Sequence, residues 1–145
     1  MKKVVSLVTI FVLCLTALAG CSGSKEVDLK TVLSDINSKY SLDLKELTDS
    51  NDLKKYYSID TEDVKQFAAE INSDSNSRVE IVLVEAVDAD AASRVNDALS
   101  KTYTSIVTQY SGYNAKKLPM VEACKVTQDG NYVTMIVADQ GPEIL

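Results

Sequence analysis

Histidine and tryptophan are absent from this 145-residue sequence, and cysteine occurs only three times. Without His there is no side chain that titrates near neutrality to serve as a general base, no Ser-His or Cys-His nucleophile pair, and little with which to hold a transition metal. The few glycines never adopt a G-x-G-x-x-G or P-loop spacing, so the phosphate-cradling turns of nucleotide-binding proteins are missing. Positive charge is in deficit, with 15 basic residues against 21 acidic ones and a formal charge of −6. A surface of that sign is repelled by phosphate backbones and anionic headgroups, which argues against nucleic acid as a partner.

One long apolar run is present, and it stands at the N-terminus. Met1-Lys2-Lys3 is a short basic stretch, and Val4 to Leu18 is apolar apart from Ser6, Thr9 and Thr16. This is the n-region and h-region of an export signal. It falls short of the roughly 20 apolar residues that a transmembrane helix needs. Leu18-Ala19-Gly20-Cys21 resembles the lipobox of bacterial lipoproteins, in which small residues fit the signal peptidase and the cysteine sulfur receives diacylglycerol. The resemblance implies that residues 1–20 are a lipoprotein signal peptide and that Cys21 is the lipid attachment site. It places the mature chain on the extracytoplasmic face of the cell membrane, where more than one acyl chain gives stable anchoring. Cleavage removes Lys2 and Lys3 and no acid, taking the formal charge from −6 to −8. No basic amphipathic helix is available to hold such a chain to a membrane by charge. Residues 21–27 are read as the lipidated Cys and a flexible tether, because Ser22-Gly23-Ser24-Lys25-Glu26 cannot bury a core. No order is expected there.

Cys14 leaves with the signal and Cys21 is consumed by lipid, so Cys124 is left alone and no intramolecular disulfide can form. Residues 28–145 are long enough for a single domain that holds together by its core. Leu29, Val32, Leu33, Ile36 and Tyr40 recur at helical spacing behind Asp28, predicting a helix over 28–39. Ser50-Asn51-Asp52 caps a short helix over 51–57. Val64 to Ile71 alternates as a strand, and after the turn cluster Asp74-Ser75-Asn76-Ser77 the run Val79 to Ala86 reads as a central strand buried on much of both faces. Asp88 caps a long helix whose stripe is Ala92, Val95, Leu99, Tyr103, Ile106 and Tyr110, with Gly112 placed to stop it. Pro119 opens a strand that continues from Met120 to Thr127, and Asp129-Gly130 joins it to Tyr132–Ala138 through a type I′ hairpin turn. Gln140-Gly141-Pro142-Glu143 breaks the pattern, so the tail is expected to fray. The order of elements predicts an α+β two-layer sandwich, an antiparallel four-stranded sheet with helices packed on one face.

Tyr56-Tyr57-Ser58-Ile59-Asp60, the run Val79–Ala86 leading into the Asp88 helix start, Gly130-Asn131-Tyr132-Val133 and Val137-Ala138-Asp139 resemble a family of small clostridial (Firmicutes) lipoproteins that carry an uncharacterised domain of unknown function. The likeness covers nearly the whole mature chain, and its motifs are structural signposts that imply no activity. Two departures stand out. Such chains often have Gly where Ser58 stands, and an Arg-rich, Gln-containing long helix where this one has Arg94, Lys101 and Gln109.

Chemistry has few candidates. Cys124 is the one possible nucleophile in the mature chain, and it has no base beside it in the sequence, so a small, buried, inert side chain is expected. Asp60-Thr61-Glu62-Asp63 and Asp88-Ala89-Asp90 lack the alternation of a calcium loop and read as caps and solvated turns. No cofactor and no metal is therefore expected. Tyr56, Tyr57, Tyr103, Tyr110, Tyr113 and Tyr132 fall in or near ordered elements, where tyrosine serves either core packing or a binding surface. An exposed pair at Tyr110 and Tyr113 would favour the surface. Two functions remain open. One is a non-catalytic binding or accessory lipoprotein of the cell envelope, with an envelope protein or a small ligand as partner. The other is an envelope enzyme or redox thiol protein using Cys124 or paired carboxylates such as Glu80 and Glu85.

Overall fold

The computed structural model describes residues 26–74 and 77–145. The leader, Cys21 and the first part of the tether lie outside the described residues.

A strand that is apolar at nearly every position needs cover on both sides, and the architecture is built around one. The strand β3 (Glu80–Ala86) is buried along its whole length. It lies between β2 (Val64–Ile71) and β5 (Tyr132–Val137), with β1 (Lys45–Leu47) and β4 (Lys125–Asp129) at the edges. The order is β1-β2-β3-β5-β4, and every pairing is antiparallel. Side chains alternate between the two faces of the sheet. Ala69, Val82, Val84, Val133, Met135 and Val137 meet the helices α2 (Ser50–Tyr57), α3 (Ala89–Tyr113) and α4 (Leu118–Ala123) through residues such as Leu53, Val95, Leu99 and Val121. Ala68, Ile81, Leu83 and Ile136 form a second core with Leu29 and Leu33 of α1 (Leu29–Tyr40) and with Ile144 of the C-terminal turn α5 (Gly141–Ile144).

The antiparallel α+β arrangement agrees with the sequence reading, and two details differ. The sheet has five strands where four are predicted, because β1 adds an edge to β2 through Lys45–Ile71, Glu46–Glu70 and Leu47–Ala69. The helices occupy both faces, because Ile81, Leu83 and Ile136 would otherwise stand in water, a loss of about 1.5–3 kcal/mol for each large side chain.

Local chemistry sets the ends of the elements. The Asp28 carboxylate accepts from the Lys30 and Thr31 backbone N–H groups, and Asp88 accepts from Ala91. At α2 the cap is Asp49, one position before the predicted trio. The helix α3 runs through Gly112 to Tyr113, with Asn114 still donating to the Tyr110 carbonyl at 2.9 Å. Glycine weakens a helix without ending it when the last turn keeps its hydrogen bonds.

Four further expectations are corrected. Pro119 sits in the first turn of a helix rather than at the head of a strand, since that turn also needs no N–H from it, and β4 begins only at Lys125. The hairpin loop is Gly130-Asn131 with φ +56° at Gly130 alone, the II′ pattern instead of I′. The tail forms α5, held by Ile144 in the second core and by the Tyr40 hydroxyl donating to the Glu143 carbonyl at 3.4 Å. The tether also acquires contacts where none are expected: Glu26 pairs with Lys65 at 3.1 Å, and Gln66 Nε2 donates to the Val27 carbonyl at 2.6 Å. Among the described residues no helix is long and apolar enough to cross a membrane.

Candidate functional site

Where α2 ends, β2 runs out and β3 begins, the chain leaves a cleft of about 460 Å³ lined by Tyr56, Tyr57, Asn72, Arg78 and Glu80 among others. The local sequence explains how each side chain arrives. Leu53 and Tyr57 lie one helical turn apart and both enter the core, so Tyr56 falls outward at the mouth. Ser58 then adopts φ +59° and turns the chain sharply back, its N–H closing on the Leu53 and Lys54 carbonyls. Glu80 shares a face with Val82 and Val84 because side chains two apart on a strand point the same way. It is therefore an acid carried inward, 5 % exposed.

Arg78 organises the floor. Its Nε donates to Glu80 Oε1, its Nη1 to Gln109 Oε1 at 3.4 Å, and its backbone N–H to the Tyr110 hydroxyl at 3.1 Å, which ties the cleft to the last turns of α3. Two atoms here are fully enclosed, the Tyr57 hydroxyl and Glu80 Oε2; neither makes a hydrogen bond of good geometry, and the phenol lies close enough to the Glu80 carboxylate to interact with it. Burial, followed by the nearby Glu80 charge, pushes the Tyr57 phenol well above its ordinary range, so it keeps its proton at any physiological pH.

A second, more open polar cleft lies on the opposite face, between α1 and the sheet edge, lined by Lys30, Ser34, Asn37, Glu46 and Glu70. Asn37 Nδ2 donates to Glu70 Oε1 at 2.7 Å, while Asn37 Oδ1 and Glu70 Oε2 have no partner. Burial and, more weakly, Glu46 hold the Glu70 carboxyl above the usual carboxylate range against the opposing Asn37 bond.

The residues singled out from the sequence are distributed as follows. Glu80 and Glu85 point to opposite faces of β3 and do not form a facing pair. Glu85 is held by Gln66 Nε2 and by Lys65 Nζ at 2.9 Å. Burial alone would raise the Glu85 pKa, and these bonds outweigh it and bring it down. Cys124 ends α4 instead of lying within a strand, and it is 3 % exposed. Its thiol sits 3.3 Å from the Met120 carbonyl and 3.4 Å from that of Ala138, and burial raises its pKa. No thiolate is available there at neutral pH.

The acidic stretches act as structure. Asp63 is buried under Arg94, whose Nε and Nη2 take both carboxylate oxygens and hold its pKa low, while Asp60 pairs with Lys54 at 2.6 Å and Asp88 caps α3. Among the described residues no three Cys, Asp or Glu side chains gather as a metal site.

The tyrosines divide. Tyr110 is buried and Tyr113 is 91 % exposed, so they form no exposed pair. The Tyr103 hydroxyl lies 2.8 Å from the carbonyls of both Val121 and Cys124, pinning α4 to α3. Arg78 is the site residue that sequence reasoning passed over. The available signal was its neighbour Glu80, an acid on the inward face of an apolar strand that needs a cation within reach.

No curated protein and no solved structure matches the chain. A family model does match, over residues 37–138, which take in both clefts except for the start of α1. By that match the chain belongs to the family defined by the domain of unknown function DUF4358.

Proposed function

We propose that this chain is the precursor of a membrane-anchored extracytoplasmic lipoprotein of the Firmicutes type, whose mature domain is a non-catalytic binding or accessory module of the cell envelope. One observation carries the reading. The basic start, the apolar run and Leu18-Ala19-Gly20-Cys21 stand in order, and the capped start of the folded domain follows at Asp28. The seven residues 22–28 reach at most about 25 Å, which keeps the domain next to the bilayer while leaving it free to meet an envelope partner.

A binding role is further supported by the concave, polar-lined cleft at Tyr56, Asn72, Arg78 and Glu80. An envelope enzyme or redox thiol protein has less support. Its nucleophile, Cys124, is enclosed with a raised pKa, and its two carboxylates face away from each other.

Mass spectrometry of the protein taken from its own membrane tests the reading. The expected N-terminal peptide begins at Cys21 and carries diacylglycerol on sulfur. Cys21→Ala should leave an unprocessed precursor whose downstream domain still folds. An unacylated native peptide, or a leader retained as a span, refutes it.

A further inference from the structure

The two edges of the sheet are not alike. β1 is three residues long and leads almost at once into α2, whereas β4 runs for five residues in unbroken register with β5, with no bulge and no proline. Among the described residues no strand pairs with the outer side of β4. An open edge of that kind offers its backbone to another strand unless something blocks it.

The hairpin fixes which groups face outward. Because Gly130-Asn131 is a two-residue loop, Asp129 and Tyr132 are the last hydrogen-bonded pair, and the ladder to β5 then uses Thr127 and Lys125. The N–H and C=O groups of Val126 and Gln128 therefore point away from the sheet.

Side chains select the strand that meets them. Lys125, Thr127 and Asp129 share one face, opposite Ile136, Thr134 and Tyr132 of β5, and Lys125 and Asp129 are exposed. From Lys125 to Ala138 they are the only charged residues, of opposite sign and at opposite ends of the strand. Among the described residues neither takes part in an ion pair within its own chain. A second β4 laid antiparallel about Thr127 sets each Lys125 against Asp129 of the other copy and Thr127 against Thr127, while Val126 and Gln128 exchange backbone hydrogen bonds. Opposite charges directly across two strands attract, and like charges there are destabilising. A slip of two residues either way leaves both charges without a counterpart, and a parallel arrangement sets like charges together. The acidic chains repel each other overall, but at physiological salt that repulsion is screened beyond about 8 Å, and the facing pairs lie inside that range.

We propose that the protein forms a two-fold dimer in which the β4 edges of two copies join their five-stranded sheets into one continuous sheet. The two-fold axis is perpendicular to the sheet, so an axis normal to a bilayer starts both domains at one height above it. The pairing goes beyond the binding-module reading and does not depend on it.

The test is made in membranes of cells that express the full chain. Thr127→Cys should give a disulfide-linked dimer on mild oxidation, because residues facing each other in a non-hydrogen-bonded antiparallel pair lie about 4.5 Å apart at Cα, within disulfide range. Ser93→Cys, at an exposed position of α3, and the wild-type chain, whose Cys124 is enclosed, should stay monomeric. Adding Lys125→Glu to Thr127→Cys sets acid against acid and should cut the linked fraction about fivefold, and adding Asp129→Lys as well should restore it. In the wild-type chain a zero-length carbodiimide should join Lys125 to Asp129 of a second copy. Within one copy the two stand about 13 Å apart along the strand, beyond the reach of such a bond.

The proposal is overturned if Thr127→Cys links no more than Ser93→Cys, if Lys125→Glu leaves the linked fraction unchanged, if the double exchange fails to restore it, or if no Lys125–Asp129 link joins two copies. Mass spectrometry of the linked chains maps the disulfide to position 127 and reads the state of Cys21 in the same sample, so a failed anchor and a failed dimer are told apart.

Discussion

Glu70 gives the sharpest test of how this fold handles buried charge. Its carboxylate takes one hydrogen bond from Asn37 Nδ2, leaving Glu70 Oε2 and Asn37 Oδ1 as two buried acceptors with no donor. A carboxamide at position 70 supplies what is missing, because its oxygen still accepts from Asn37 while its nitrogen donates to Oδ1. Glu70→Gln therefore adds a hydrogen bond worth about 1 kcal/mol and removes the desolvation of a charge, against loss of the extra strength of one charge-assisted bond. The expected net gain is about 1–2 kcal/mol at neutral pH, or roughly 4 °C or more in Tm for a domain of this size.

The pH dependence follows from the direction of the Glu70 shift. Its folded pKa is raised, by burial first and then by Glu46, so the folded chain holds this proton more tightly than the unfolded chain does. The stabilisation is complete below the unfolded value of about 4.3 and is lost as pH rises through the folded pKa. At low pH wild-type Glu70 already carries a proton on its carboxyl and resembles the amide, so the advantage of Glu70→Gln should be small near pH 4 and larger at pH 7.5. Glu46, which faces the same cleft, repels the Glu70 carboxylate and not the amide, so it adds to the difference expected at pH 7.5. Urea denaturation of both chains at the two pH values, followed by circular dichroism, decides the matter. A variant no more stable than wild type at pH 7.5, or equally favoured at both, refutes the reasoning.

Ser58 holds φ +59° at the C-terminal cap of α2, a conformation that disfavours any side chain. Ser58→Gly should raise stability by about 0.5–1 kcal/mol after the entropy of a freer unfolded chain is subtracted, measurable as a shift in urea midpoint. Cys124 should react slowly with a thiol reagent in the native protein and fully in denaturant, as followed by mass spectrometry of its own peptide. Fast native labelling would contradict its enclosure by α4 and the tail. A Cβ at Gly141 would lie 2.6 Å from Cys124 Sγ, so Gly141→Ala should cost about 1–3 kcal/mol. Adding Cys124→Ala should recover part of that loss, whereas simple additivity of the two substitutions would show that Sγ is not the obstacle.

Periodicity made most of this fold legible. The helices behind Asp28 and Asp88 and the strands Val64–Ile71 and Glu80–Ala86 stand where spacing, caps and β-branched residues put them. β1 was illegible because three residues, only one of them buried, make no pattern. Pro119 was misread because proline is equally at home at the head of a strand and in the first turn of a helix. The placement of α1 could not be read from its stripe, since an apolar stripe requires burial without naming the face that supplies it. The clue lay in β3, apolar on both sides, which one layer of helices cannot cover. Glu80 and Tyr57 were both visible in the sequence as unusual residues. Their meeting was not, because Tyr57 ends α2 and Glu80 opens β3, with the whole of β2 between them in the chain.

The three buried glutamates of β2 and β3 separate what the fold needs from what it tolerates. Glu85 is satisfied on both oxygens by Lys65 and Gln66, so its charge is stabilised and its pKa falls. Glu70 and Glu80 each satisfy one oxygen and leave the other bare. An acceptor without a donor costs about 1–3 kcal/mol, and an apolar side chain of similar shape at either position would avoid that cost. Stability alone therefore accounts for Glu85 and fails to account for the other two. Those two are the glutamates that line clefts, on opposite faces of the sheet, although their bare oxygens are themselves enclosed. The sheet thus buries all three acids to a similar depth and completes the hydrogen bonding of only one.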